Sequence, residues 1–203
     1  MPPFSRTNPP RTLKIKLGKD EFTLTLFATS RQAIVYVDDE RKHFAKTGGR
    51  NAVPVTSTLA DEAMFTRKAV PGLVKAYGID ELGSGVDWLV TLAAKGWSLQ
   101  DAAAFKRAKE APGNVGKYVV AERAARLTVA KAYEIFQATF TAELDDSEDD
   151  AGGLGGRERG KGRGISHGDL TPWNAFFDDE VTRVETLIDW GKAQWMPTLT
   201  PYE

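Results

Sequence analysis

Apolar and polar positions alternate from Thr12 onward. Leu13, Ile15 and Leu17 fall on one face, and Phe22, Leu24 and Leu26 repeat the pattern after a Gly18-Lys-Asp turn. Period-two alternation broken by a glycine turn predicts a pair of strands. Ala33–Val37, a β-branched and aromatic run, and Lys42–Thr47 flank Asp38-Asp-Glu and read as a hairpin, with Gly48-Gly49 expected to end the sheet. Thr58-Leu-Ala-Asp61 has the spacing of a capping box and opens a short helix that Pro71 stops. Leu73–Ile79 and Trp88–Leu92 read as further strands, Gly96 as a turn, and Leu99–Lys109 as a helix. A long helix follows from about Tyr118 to Glu143. Val129, Tyr133, Phe136 and Phe140 recur on one of its faces at helical spacing, a stripe expected to lie in the core.

Composition narrows the function classes. Hydrophobic residues make up 41% of the 203 positions and charged residues 27%, which is globular composition and argues against a disordered or fibrous chain. Lys and Arg number 27 against 28 Asp and Glu, so a wholly basic nucleic-acid or membrane-surface protein is not expected. The absence of cysteine excludes disulfides, thiolate-bound zinc and a cysteine nucleophile. No apolar run is long enough to span a bilayer, and the first ten residues carry no signal-like core, so a cytoplasmic location is expected.

Two segments depart from this average. Residues 1–11 are rich in proline and polar groups and read as a flexible tail. Between 145 and 164 an acidic run, Asp145–Asp150, precedes glycines interleaved with Arg and Lys, which predicts a disordered insertion. Gly155 to Lys161 matches most of a phosphate-binding loop. However, Gly162 stands where Ser or Thr would hold the metal, and no strand precedes it. The Arg157, Arg159, Lys161 and Arg163 cluster lacks the aromatics of a single-strand nucleic-acid tract.

Chemistry concentrates near the C-terminus. His167-Gly-Asp169-Leu-Thr-Pro-Trp-Asn174 is followed by Leu187-Ile-Asp189-Trp-Gly191. In such a pattern one aspartate can accept a hydroxyl proton, while the asparagine and the second aspartate hold a cation on nucleotide phosphates. Hard oxygen ligands of this kind suit Mg²⁺ or Mn²⁺.

These two motifs resemble the protein-kinase-like superfamily, and His167-Gly168-Asp169 with Asp189-Trp190 is similar to its aminoglycoside/choline phosphotransferase branch. The resemblance implies an α+β, bilobal protein-kinase-like fold. An antiparallel-sheet N-lobe would span 12–92, and a hinge with a C-terminally shortened, mainly helical C-lobe would span 93–203. It implies Asp169 as catalytic base, Asn174 and Asp189 as metal ligands, and His167 as an orienting residue packed under the loop. Upstream, Lys46 in His43-Phe-Ala-Lys46 resembles the phosphate-contacting strand lysine, with Lys42 as rival. Glu62 would be its helix partner, with Asp61 as rival. Trp88–Asp101 resembles the fifth strand and hinge, which would put Thr91 at the back of an adenine pocket and the main chain of Leu92, Ala93 and Ala94 against the base.

The implied function is an ATP- and Mg²⁺-dependent kinase acting on a hydroxyl acceptor. Gly168 replaces an arginine and Thr171 a lysine common in protein kinases, which favours a small-molecule acceptor over a protein. Two departures favour an alternative, a nucleotide- or protein-binding pseudokinase or an incomplete fragment without turnover. Ala28, Ser30 and Ala33 occupy the positions of the nucleotide-loop glycines, and few residues follow Asp189. A protein partner would then cover the shortened lobe; neither membrane nor nucleic acid is expected as a partner.

Overall fold

A computed structural model describes residues 4–49, 58–145 and 163–197. The chain divides into two units, Met1–Ala94 and Lys95–Glu203. The acidic run after Asp145 and most of the glycine- and arginine-rich segment, where the insertion is expected, lie outside the described residues.

The first unit is a six-stranded antiparallel sheet with one helix. Strands β1 (Thr12–Leu17), β2 (Asp20–Thr29), β3 (Ala33–Val37) and β4 (His43–Gly48) form a meander. Helix α1 (Leu59–Ala69) leads to β5 (Val74–Ile79) and β6 (Asp87–Leu92), and the sheet order is β1-β2-β3-β4-β6-β5. The sheet therefore does not end at Gly48. The free edge of β4 is covered by β6, with Ala45 opposite Val90 and Lys46 opposite Leu89. This pairing satisfies backbone groups that an edge strand would leave open.

Period-two alternation places the core. Ile15, Leu17, Phe22, Leu24, Ile34, Tyr36, Ala45, Trp88 and Val90 form one buried cluster. Tyr36 and Phe4 each meet Trp88 edge to face, at 5.7 and 5.2 Å between ring centroids. The Tyr36 hydroxyl donates to the Pro10 carbonyl at 2.7 Å, so the segment before β1 is packed on this cluster. Burial pushes the Tyr36 phenol up to about 12, which keeps it a neutral donor. Residues opposite one another across an antiparallel sheet share a face. The register therefore puts Val35, Lys46 and Leu89 on the other face, joined by the opposed pair Phe44 and Thr91.

Asp80 fastens the sheet's two ends. Only 5% exposed, it accepts from the Lys16 amide at 2.8 Å, the Leu82 amide at 3.0 Å and the Ser84 amide at 2.9 Å. Burial opposes its charge, but these donors outweigh burial and hold its carboxyl below the usual range.

The second unit is built on a 31-residue helix, α3 (Val115–Asp145), preceded by β7 (Trp97–Ser98) and α2 (Ala103–Glu110). Strands β8 (Arg163–Ser166), β9 (Ala175–Phe177), β10 (Val184–Leu187) and β11 (Gln194–Pro197) complete it as two small antiparallel sheets, β10-β9-β7 and β11-β8. The expected helix at Leu99–Lys109 starts four residues later. The Asp101 and Ala102 amides fold back on Ser98, and the Ala103 amide is capped by Asp179 at 2.8 Å.

The core face of α3 also differs from expectation. Val120, Ala124, Thr128, Ile135 and Thr139 are buried, whereas Val129 and Tyr133 are 58% and 61% exposed and Phe136 and Phe140 half-buried. A hydrogen bond from the neighbouring strand fixes this face. Thr139 Oγ1 accepts the Ile165 amide at 3.0 Å while donating back into its own helix, which ties β8 to this face of α3. Gly164 faces the Phe136 ring so closely that an added Cβ would sit 2.5 Å from it.

Replacing Asp80 with alanine orphans three amide donors. Asp80→Ala should lower unfolding stability by about 2–3 kcal/mol in a urea titration. A change below about 0.5 kcal/mol would mean that this anchor carries no load.

Candidate active site

In the first unit, Thr58 and Asp61 close the capping box that starts α1. The Thr58 amide donates to Asp61 Oδ2 at 2.8 Å, and the Asp61 amide to Thr58 Oγ1 at 3.2 Å. Asp61 is thereby consumed at the helix start, and its hydrogen bonds hold its carboxyl low. The next residue, Glu62, turns inward, with its side chain 9% exposed, and meets Lys46 Nζ at 2.8 Å. Lys42 instead lies in the turn before β4 and pairs with Glu40. Lys46 and Thr91 share the sheet face opposite the aromatic core, and Glu62 reaches that face from α1.

The backbone around Thr91 is already engaged. The Leu92 amide donates to the Leu73 carbonyl and the Ala93 amide to the Lys42 carbonyl, both at 2.8 Å. Ala93 therefore has its carbonyl, not its N–H, to offer a ligand. In the β2–β3 hairpin, Ser30 Oγ accepts the Gln32 amide at 3.2 Å and the Ala33 amide at 2.9 Å. Serine in place of glycine thus satisfies the amides of its own turn.

In the second unit, one buried imidazole joins two acidic loops. His167 is 2% exposed. Its Nε2 lies 2.8 Å from the Ile188 carbonyl, and the Asp169 amide reaches its Nδ1 at 3.4 Å. A carbonyl can only accept and an amide N–H can only donate, so the ring is neutral and carries its proton on Nε2. Burial pushes its pKa down, opposed by the bond to Ile188 and by the nearby Asp189 and Asp169 carboxylates. Trp190 covers the ring at 4.5 Å between centroids. Because the folded state resists this proton, His167 supports stability fully above its unfolded value of about 6.5. That support is lost as the pH falls from there through the lower folded value.

Strand pairing brings the remaining groups to the same end. Leu187 is opposite Ala175, and the Ile188 amide donates to the Asn174 carbonyl at 2.9 Å, so Asp189 leaves its strand beside the point where Asn174 enters. Asn174 Nδ2 donates to the Asp169 carbonyl at 2.9 Å, which leaves Oδ1 as the acceptor end of the amide. Lys192 Nζ meets Asp169 Oδ2 at 2.9 Å. That lysine carries no motif signal, and only the turn after Asp189 brings it to the loop.

Two backbone conformations make this convergence. Asp189 has φ 60°, a left-handed geometry that costs on the order of 1 kcal/mol for a residue other than glycine and is best tolerated by Asp and Asn. Gly168 has φ 75°, and a Cβ there would lie 2.0 Å from the Lys192 carbonyl oxygen. Glycine at this position is thus a requirement of the contact between the two loops.

The oxygen set fits a hard divalent cation only in part. Among the described residues no group of three or more His, Asp or Glu side chains could hold a metal alone. Asn174 Oδ1 and the Asp189 carboxylate would supply two hard oxygens, too few for a shell without phosphate oxygens beside them.

Gly168→Ala should destabilise the protein by at least about 2 kcal/mol, since strain and a backbone collision combine. Gly72→Ala has a similar φ of 84° but open space around it, and isolates the strain alone. Equal melting temperatures for the two variants would remove the proposed packing of Gly168 on Lys192.

The model of the phosphotransferase enzyme family matches residues 3–200. No curated protein matches the chain. Among solved structures, the aminoglycoside phosphotransferase APH(3'')-Id from Streptomyces rimosus is similar at 18% identity and a TM-score of 0.41, over 85% of this chain and 72% of that one. An aminoglycoside-3'-phosphotransferase of type VIII is similar at 19% identity and a TM-score of 0.35, over 92% of this chain and 73% of that one. With nearly its whole length matched by one family, and with His167, Asp169, Asn174 and Asp189 gathered as described, the chain belongs to the phosphotransferase enzyme family.

Proposed function

We propose that this phosphotransferase uses ATP and Mg²⁺ and transfers the γ-phosphoryl group to a hydroxyl on a small molecule. The observation that supports this most strongly is the gathering of Asp169, Asn174 and Asp189 around buried His167. In this reading Asp169 takes the proton of the acceptor hydroxyl as its oxygen attacks the γ-phosphorus and the bond to the β-phosphate breaks, releasing ADP. Lys192 holds Oδ2 of that carboxylate, leaving Oδ1 toward the hydroxyl. Asn174 and Asp189 would hold the divalent ion, which when bound neutralises phosphate charge. Lys46, steadied by Glu62, would contact the α- and β-phosphates, while Thr91 and the Ala93 carbonyl would face the base.

His167 works through others. A neutral ring fixed between the Asp169 amide and the Ile188 carbonyl sets the spacing of the two acidic loops without adding charge. Catalysis of this kind rests on positioning and electrostatics, so such spacing bears directly on rate. Gly168, in the place of the arginine common in protein kinases, leaves no cation there to answer a phosphorylated loop, which supports a small-molecule acceptor.

A second reading, nucleotide binding without turnover, is favoured by Ser30. Its hydroxyl occupies the hairpin amides that would otherwise approach phosphate. Calorimetry with ATP and Mg²⁺, paired with ADP release across a panel of hydroxyl acceptors, separates the two. Asp189→Ala should abolish metal-dependent nucleotide binding. Asp169→Asn should retain binding and lose roughly 100-fold or more in turnover. Wild-type binding without ADP formation would select the second reading, and binding unchanged by Asp189→Ala would overturn the site assignment.

A further inference from the structure

The exposed face of α3 carries a second pattern. Val115, Val119, Glu122, Arg126, Val129 and Tyr133 follow one another at alternating steps of four and three residues, the spacing of a helix-pairing seam. All six are exposed, from 50% at Val119 to 76% at Val115 among the apolar four. Beyond them the seam continues through Phe136 and Phe140, but there the chain covers its own helix, with Gly164 against the Phe136 ring. The open stretch therefore runs from Val115 to Tyr133, about 27 Å of helix.

That stretch is complementary to itself when reversed. Its spacing reads the same in both directions. Turning one copy end for end sets Val115 opposite Tyr133, Val119 opposite Val129, and Glu122 opposite Arg126, twice each. Parallel pairing would instead set Glu122 against Glu122 and Arg126 against Arg126, a like-charge clash at the centre. Ala125 and Ala130 beside the seam are small enough to let two helices approach closely. Within one chain Arg126 Nη2 already reaches Glu122 Oε1 at 2.6 Å, but this exposed i,i+4 pair contributes little and can exchange partners.

We propose that two copies of this chain associate through α3, antiparallel, with reciprocal Glu122–Arg126 pairs at the centre of a Val115–Tyr133 seam. Any seam of this length reads alike in reverse in its spacing, so the central Glu122 and Arg126, which complement each other only in the antiparallel arrangement, select a second copy of the chain. The inference does not depend on the reaction proposed above, because none of these residues belongs to the candidate site.

Sedimentation of the full chain over a range of loading concentrations tests it. Wild type should form a reversible dimer. Glu122→Arg and Arg126→Glu should each weaken self-association at least about tenfold, since each creates two like-charge contacts. Mixed in equal amounts, the two single variants should form a one-to-one heterodimer, and the double reversal should dimerise again. At loading concentrations where wild type is monomeric, thermal melts of the variants should match it. Three results would overturn the proposal: a monomer at every concentration, which would leave the face to another occupant; a dimer insensitive to both reversals; or single variants that fail to recover on mixing.

Discussion

The candidate chemistry hangs on one buried hydrogen-bonded ring. His167 receives the Asp169 amide on one nitrogen and gives its proton to the Ile188 carbonyl on the other, so two chain segments twenty residues apart are held at a fixed spacing. Each segment presents an aspartate, and both carboxylates act on the charge of the ring. Both carboxylates would favour a protonated imidazole, but it could not accept the Asp169 amide, and burial disfavours its charge. A neutral ring holds the loops by geometry alone. Outside the ring, Lys192 compensates the Asp169 carboxylate.

Backbone strain serves the same end. The left-handed turn at Asp189 swings the chain so that Lys192 returns to Asp169, and the glycine at 168 lets the Lys192 carbonyl come within a distance no side chain would permit. Motif, strain and packing are thus one device. The first unit repeats the logic in simpler form. The capping box consumes Asp61, which frees the neighbouring Glu62 to turn inward onto Lys46, and strand pairing gives that lysine its face.

Legibility in the sequence followed the range of the interactions involved. Alternation and turn residues exposed β1 to β6, because a half-buried strand must write its two faces into its side chains. The capping box was legible as a four-residue signal. The two aspartate motifs were legible because metal and proton chemistry demand particular residue types. The Lys192–Asp169 pair was hidden, since it depends on a left-handed turn that no local pattern announces. The core face of α3 was misread for a related reason. Period alone does not say which face the following strand takes, and that strand is tied to the Thr139 face by the Ile165 amide while Gly164 lies against the Phe136 ring. Helix α2 started late because Ser98 and Asp179 captured the amides that would have opened it earlier.

The bridge between the two acidic loops stands or falls with the state of one histidine. Nitrogen-detected NMR of the imidazoles across a pH titration reads it directly, with His167→Gln assigning the resonance. A neutral ring protonated on Nε2 is the expected result, persisting below the pH of about 6.5 at which a free imidazole takes up its second proton. An imidazole that titrates at the ordinary value, or one protonated on Nδ1 instead, would contradict the bridge between the two acidic loops and with it the arrangement of Asp169, Asn174 and Asp189.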